Sequence, residues 1–447
     1  MKNKRIHLIG IGGVSMSSIA LLLKSMGNIV SGSDQANSPI IENLIKNNIE
    51  VYIGTNKDII KDVDIVIYTT SIPLDNIELK EAKILNKIIY SRPEFIHELS
   101  KSYKNVLCIS GTHGKSTTTG MTAKVFLENN LNPTILVGAY LKDIDGYLHI
   151  GTKDYLILET CEYKDAFLSF LPTNSTILNI DDDHLDYFKN LDNIKSSFQK
   201  FADLTKNYLI INNDDENSKN IHHSKIITYG INNKSNIEAR NIKKDNMGHP
   251  TFDVYYNNKY LTSINLSVFG THNIYNSLAT IAFSIIYNLD ISKTTNSLNT
   301  YRGVKRRFEY IGNYNNAYLF DDYAHHPTEI KSTLESTKQV NNNKVIAVFQ
   351  SHTYSRTKEH LNEFASILSK FDEIIIAPIF AAREKNIYNI HEKDLVDLIK
   401  KNNPNVLYID SFNKIEDYLK EHIKPNNLVI SIGAGPINNV MEDIKEC

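Results

Sequence analysis

Residues 5–34 read RIHLIGIGGVSMSSIALLLKSMGNIVSGSD: an apolar run, a glycine-rich turn, an apolar stretch of helical length, a closing Gly27 and a second apolar run. The order predicts a strand, a tight turn, a helix over about 15–26 and a second strand. Two strands joined through a helix lie parallel in one sheet. The same grammar recurs along the chain in VDIVIYTTS, KIIYSR, NVLCISG, YLILET, STILNI, AYLFDDY, KVIAVFQ, FDEIIIAPIF and NLVISIGAG, short apolar runs that end in polar or glycine turns. The expected fold class is therefore α/β. At 447 residues the chain exceeds one ordinary core, and about 150 residues per domain suggests three. The polar stretch ELSKSYKN and a fresh strand-helix run near Tyr301 place the expected domains at 1–103, 104–300 and 301–447. A polar segment of roughly 217–262 reads as an antiparallel β excursion within the second.

A formal charge of -2 argues against nucleic acid as a partner, because a phosphate backbone demands a clustered basic excess. The opening MKNKR followed by an apolar stretch has the shape of a secretory leader, but glycines and serines interrupt it and no small-residue cleavage site follows. No run of about 20 apolar residues exists to span a membrane. Cys108, Cys161 and Cys447 have neither disulfide-like nor ligand-like spacing, which suits reduced thiols in a cytoplasmic protein.

Two glycine turns carry the chemistry. GTHGKSTTTG, Gly111 to Gly120, follows a strand and opens a helix, the setting of a phosphate-binding loop, although Ile109 stands where the usual G-x-x-x-x-G-K-[ST] pattern has its first glycine. Lys115 would reach terminal phosphates, and the Ser116 hydroxyl would coordinate Mg²⁺. The strand YLILET ends in Glu159, and STILNI runs into DDDHLD with His184. In an open parallel sheet these ends share one edge with the loop. Asn273 and Asn276 share a helix face and could cap that helix or read an adenine edge. GVKRRFE holds Arg306 and Arg307, and FDDYAHHP holds Asp321, Asp322, His325 and His326. The first turn, Gly10 to Ser17 with Asp34 beyond it, has the look of a dinucleotide fingerprint, for which NAD is the default ligand.

Taken in order, IHLIGIGGVSMS, SGSD, YTTSIP, SRPEF, GTHGKSTTTG, LETCEY, NIDDDHLDYF, GTHNIYNSLA, GVKRRFE, DDYAHHPTE, FQSHTYSRT and IGAGPI resemble the Mur ligase family over essentially the whole chain. That family uses the shortened phosphate loop. The resemblance implies a Rossmann-like N-terminal UDP-binding domain, a central P-loop ATPase-like mixed α/β domain and a Rossmann-like C-terminal domain. It implies ATP-dependent joining of L-alanine to UDP-N-acetylmuramate in the cytoplasm, with ATP and Mg²⁺, by a monomer or homodimer without membrane insertion.

By motif, Gly111, Thr112, His113, Gly114, Lys115, Ser116 and Thr117 would hold the ATP phosphates, with Ser116, Glu159 and His184 at the metal. Asn276 would contact adenine, supported by Asn273. Arg307 would lie near the γ-phosphate, and Asp322 and His325 would complete the nucleotide site from the third domain. Gly12, Gly13, Ser15, Met16, Ser17, Asp34 and Ser71 would serve the UDP-sugar, while Tyr323, His352 and Arg356 would lie near the amino acid. Lys115, His184, Arg307 and His325 are the expected catalytic residues. Ser15 replaces the usual third glycine of the first turn, Thr55 a frequent histidine, and Thr353 a frequent arginine. A ligase for a whole tripeptide is the near alternative. An NAD-dependent oxidoreductase leaves GTHGKS unused, and a nucleotide switch leaves the first turn unused.

Overall fold

The computed structural model describes every residue except Met1, Asn246, Met247, Arg383 and Cys447, and leaves the side chain of Asp186 undescribed. The thiol expected at Cys447 thus lies outside the described residues. The described residues form three sheets of five, ten and six strands. They fall into two compact units: one holds most of the chain up to Arg302, the other begins at Gly303 and also takes Lys243–Pro250 and Val268–Gly270.

The first sheet runs Glu50–Ile53, Ile29–Asp34, Arg5–Ile9, Ile65–Tyr68, Ile88–Ser91, all parallel. Strand order reverses between Arg5–Ile9 and Ile65–Tyr68, and the crevice at such a switch point lies at the strands' carboxyl ends. The Gly10–Gly13 turn and the Thr69–Ser71 stretch both leave from that edge. The helix Val14–Ser25 starts there, closed at its far end by Gly27 in the left-handed region at φ +85°.

The central sheet has the phosphate-loop strand Asn105–Ser110 between Asn174–Ile177 and Tyr155–Glu159, all parallel. The polar segment after residue 217 is antiparallel only in part of the pairing described, and it extends the central sheet. Ile226–Gly230 and Ile237–Lys244 join the same sheet in parallel, and the hairpin Pro250–Tyr256 with Lys259–Asn265 shows the antiparallel register expected. The first and central sheets share one apolar core, in which Leu8, Ile19 and Phe95 join Leu136, Leu158 and Phe167. Phe167 stacks on Phe201 at 4.8 Å and meets Phe198 edge-on at 5.1 Å.

In the second unit five parallel strands, Ala317–Asp322, Asn427–Ile432, Lys344–Phe349, Glu373–Ile376 and Val406–Tyr408, carry one antiparallel edge strand, Glu309–Tyr314. Their near-continuous apolar sequences suit strands buried on both faces. Among the described residues no helix is long and apolar enough to cross a membrane.

Candidate active site

The phosphate loop is built by two positive-φ glycines and braced from the neighbouring strand end. Gly111 has φ +139°, and a Cβ there would come within 2.9 Å of Leu178; Gly114, at φ +83°, precedes the helix Lys115–Glu128. Asn179 clamps the loop from outside. Its side chain accepts from the His113 N–H at 2.8 Å and donates to the His113 carbonyl at 3.1 Å, while its own carbonyl accepts from the Thr112 N–H at 3.1 Å. The Thr112 hydroxyl accepts from the Asp181 N–H at 3.0 Å. The open helix N-terminus this leaves is an anion site.

Lys115 folds back over the loop, donating to the Gly111 carbonyl at 2.5 Å and the Thr112 carbonyl at 3.0 Å, and paired to Glu162 at 3.0 Å. Burial by itself would lower the ammonium's pKa; Glu162, then Cys161 and Glu159, outweigh it and hold the pKa above the ordinary value. Glu162 is 1% exposed and was absent from the sequence expectations. Its signal was the second acid of LETCEY, and a buried loop lysine needs such a counter-charge.

The expected metal ligands fall into two neighbouring sets. Ser116 Oγ donates to Glu159 at 2.9 Å, and the other oxygen of Glu159 accepts from the Gly138 N–H at 2.8 Å. His184 groups instead with Glu162 and Asp183, whose ligand atoms all lie within 4.8 Å of one another. The carboxylate and hydroxyl oxygens of the two sets are hard donors that fit Mg²⁺, whereas the His184 imidazole is a softer donor than that ion favours. His184 is held at φ +52°, left-handed for a non-glycine residue, with the Tyr163 ring 4.6 Å from its own.

Asn276 lies directly behind the loop. Its carbonyl accepts from the Thr118 hydroxyl at 3.1 Å and its amide donates to Asn273 at 2.9 Å. Both asparagines lie within the helix Thr271–Ile286, past its first residue, so neither is its N-cap.

At the first turn several of the expected side chains make internal contacts. Asp34 braces the turn itself, accepting from the Gly12 N–H at 2.9 Å. Met16 points into the shared core, and the Ser17 hydroxyl donates to the Val14 carbonyl at 2.9 Å, so neither side chain faces the crevice. Gly13 and Ser71 are exposed at the expected edge. Ser15 accepts from Arg92 at 3.2 Å.

In the second unit, Arg306 and Arg307 separate. Arg306, at φ +61°, is locked to Asp321 at 2.9 Å and to the Gly433 carbonyl at 2.6 Å, whereas Arg307 is exposed. His352 lies 5.8 Å ring to ring from His325, and its Nδ1 is 3.4 Å from Arg356. Burial, then Arg356 and His325, lowers the pKa of His352, which favours a neutral ring. Tyr323 meets His325 edge-on at 5.3 Å. Thr353 caps the short helix that bears Arg356.

Asp322 is buried and accepts from Thr333 at 2.9 Å and the Ala324 N–H at 3.1 Å. Burial pushes its carboxyl up from 3.8 to about 6, against the opposing pull of Arg307. The folded chain therefore keeps this proton where the unfolded chain has lost it. Its contribution to stability is full below the unfolded value and is lost as pH rises through about 6, a difference of ~3 kcal/mol. Asp322→Asn is expected to melt above the wild type at about pH 8, with the gap closing towards about pH 4 in calorimetric scans. A variant that melts lower than wild type at the higher pH would contradict this.

Three sheets with a lysine-bearing phosphate loop at one strand edge and a second glycine turn at another define a nucleotide-dependent α/β enzyme. The chain belongs to the Mur ligase family. Models of the family's catalytic domain, its middle domain and its glutamate ligase domain match residues 5–104, 109–284 and 306–435. Members of this family are ATP-dependent ligases. The chain is 46% identical to a UDP-N-acetylmuramate–L-alanine ligase of Caldicellulosiruptor bescii, covering 98% of each protein. It is 42% identical to a ligase of the same name from Clostridium perfringens, over 98% of this chain and 97% of that one. The solved UDP-N-acetylmuramate-alanine ligase of Thermotoga maritima superposes with a TM-score of 0.82 at 27% identity, covering 99% of this chain and 98% of that one. A murein peptide ligase of Psychrobacter arcticus shares the fold at 22% identity and a TM-score of 0.69, with full coverage of both chains at 100%.

Proposed function

We propose that this chain ligates L-alanine to the lactyl carboxylate of UDP-N-acetylmuramate, coupled to conversion of ATP to ADP and phosphate, a cytoplasmic step of peptidoglycan synthesis. The observation that carries the reading is end-to-end identity of 46% with a ligase of that name. The geometry around Lys115 supports it independently. Two phosphorylated substrates account for two glycine turns on two sheet edges: UDP at Gly10–Gly13, ATP at Gly111–Lys115. The domain limits proposed for these roles are 1–103, 104–300 and 301–447.

A carboxylate resists an amine because oxide is a poor leaving group. Transfer of the γ-phosphoryl to a carboxylate oxygen gives an acyl phosphate; the amine then attacks the carbonyl carbon and phosphate leaves with that oxygen. Lys115 and the loop N–H groups counter the charge of the transferring group and position it. Mg²⁺, when held by Ser116 with Glu159 and by Glu162, Asp183 and His184, supplies further neutralisation of the phosphate oxygens. His352, biased towards its neutral form, or His325 beside it is assigned to accept the proton that the alanine ammonium must lose. Asn276, with Asn273, is assigned to adenine, and Arg307 and Asp322 to the nucleotide.

ADP release by the purified protein with UDP-N-acetylmuramate tests the reading when alanine, glycine, serine and the tripeptide are offered in turn. Alanine-dependent release is expected; release with the tripeptide alone would favour the murein peptide ligase. Arg356→Ala is expected to raise the alanine KM by roughly tenfold to a hundredfold, as loss of a charge-assisted pair with the amino-acid carboxylate should, and to leave the ATP KM almost unchanged. An equal rise for both substrates would make Arg356 structural.

A further inference from the structure

Arg92 opens the helix Arg92–Ser100 and belongs to the SRPEF stretch, to which nothing above gives a role. Its guanidinium is half-buried, and among the described residues one of its five N–H donors has a side-chain acceptor, Ser15 Oγ at 3.2 Å. Among the described residues no carboxylate lies within ion-pair distance of it; the neighbour that most opposes its desolvation is Cys161. Arg92 lines a cavity of about 130 Å³ together with Ser15, Gly138, Glu159 and Cys161. Glu159 on the same wall is already engaged by Ser116 and Gly138. The cavity thus links the first turn of the glycine-turn helix to the strand end beside the phosphate loop, and Arg92 is the cation on a wall otherwise made largely of apolar side chains such as Ile96, Leu136 and Phe170.

A guanidinium withdrawn from water without a counter-charge is costly, and its planar fork matches the paired oxygens of phosphates and carboxylates. We infer that Arg92 binds the diphosphate of the UDP-sugar, completing on the sugar side the anion site that the Gly10–Gly13 turn begins. The inference rests on the reading that this turn holds UDP-N-acetylmuramate. The bond to Ser15 favours the diphosphate: a hydroxyl that accepts from Arg92 keeps its own proton to donate to the same anion. It also gives a use to the serine that stands where the fingerprint has glycine. The lactyl carboxylate offers similar chemistry, and the test separates the two.

Calorimetric titration of wild type, Arg92→Lys and Arg92→Met with UDP, UDP-N-acetylglucosamine and UDP-N-acetylmuramate provides that test, with MgATP as the reference ligand. Only the last of the three uridine ligands carries the lactyl carboxylate. Arg92→Met is expected to weaken UDP and both UDP-sugars by roughly tenfold to a hundredfold, Arg92→Lys by less, with MgATP unchanged in each. A loss confined to UDP-N-acetylmuramate would overturn the diphosphate assignment in favour of the carboxylate. Unchanged affinity for all three, or a parallel loss of MgATP binding, would overturn the inference itself. A wild type that binds none of the three would defeat the UDP-sugar reading, and this inference with it.

Discussion

Lys115→Ala is expected to lower ligation at least a hundredfold while leaving UDP-sugar affinity nearly intact. The ammonium sits over the loop, 2.5 Å from the Gly111 carbonyl, and in the proposed function it meets the phosphates of the bound nucleotide. One such transition-state contact accounts for roughly 3 to 4 kcal/mol. The same ammonium is the ion-pair partner of Glu162, which lies almost fully buried. Removing it leaves a buried charge alone, at a cost in stability of roughly 3 to 5 kcal/mol. The double variant Lys115→Ala with Glu162→Gln separates the two effects: melting temperature should recover and turnover should not. Recovery of both would mean that Lys115 matters only as Glu162's partner.

Gly114→Val is expected to abolish MgATP binding, again with the UDP-sugar site unaffected. At φ +83° a β-branched residue is strained, and its Cβ would stand 2.6 Å from the Asn276 carboxamide oxygen. The loop and the asparagine behind it cannot both keep their places. Gly27→Ala is the matched control, since Gly27 has a similar φ of +85° and no atom within 4 Å of the added Cβ. It should cost about 1 kcal/mol of stability and leave turnover unchanged. MgATP binding retained by Gly114→Val would remove the phosphates from this loop. Gly12 offers no equally clean probe of the first turn, because a Cβ there would meet Asp34 at 2.8 Å before any ligand.

The strand-turn-helix order was legible because it is local: each strand's apolar run and each glycine turn lie within a few residues of one another. Glu159 and the phosphate loop were legible for the same reason, as a strand end and a helix start. Glu162 was not, since the choice of counter-ion for Lys115 depends on how two distant turns fold together. Met16 and Ser17 lie in the first turns of a helix whose inward face cannot be told from its ligand-facing face by spacing alone. Arg306 and Arg307 are adjacent in sequence, and only the left-handed backbone at Arg306 turns one onto Asp321 and leaves the other exposed. The extension of the central sheet beyond residue 217 depends on pairing between strands, and polar composition there suggested an antiparallel excursion because solvent-facing edge strands are polar whatever sheet they join.

Oxygen tracing tests the central claim most directly. UDP-N-acetylmuramate labelled with ¹⁸O in its lactyl carboxylate is incubated with the protein, ATP, Mg²⁺ and L-alanine, and the released phosphate is analysed by mass spectrometry. Phosphate carrying one carboxylate oxygen, formed in step with the UDP-N-acetylmuramoyl-alanine product, is the predicted result. Unlabelled phosphate, or phosphate released without the acceptor carboxylate being consumed, would contradict ligation through an acyl phosphate.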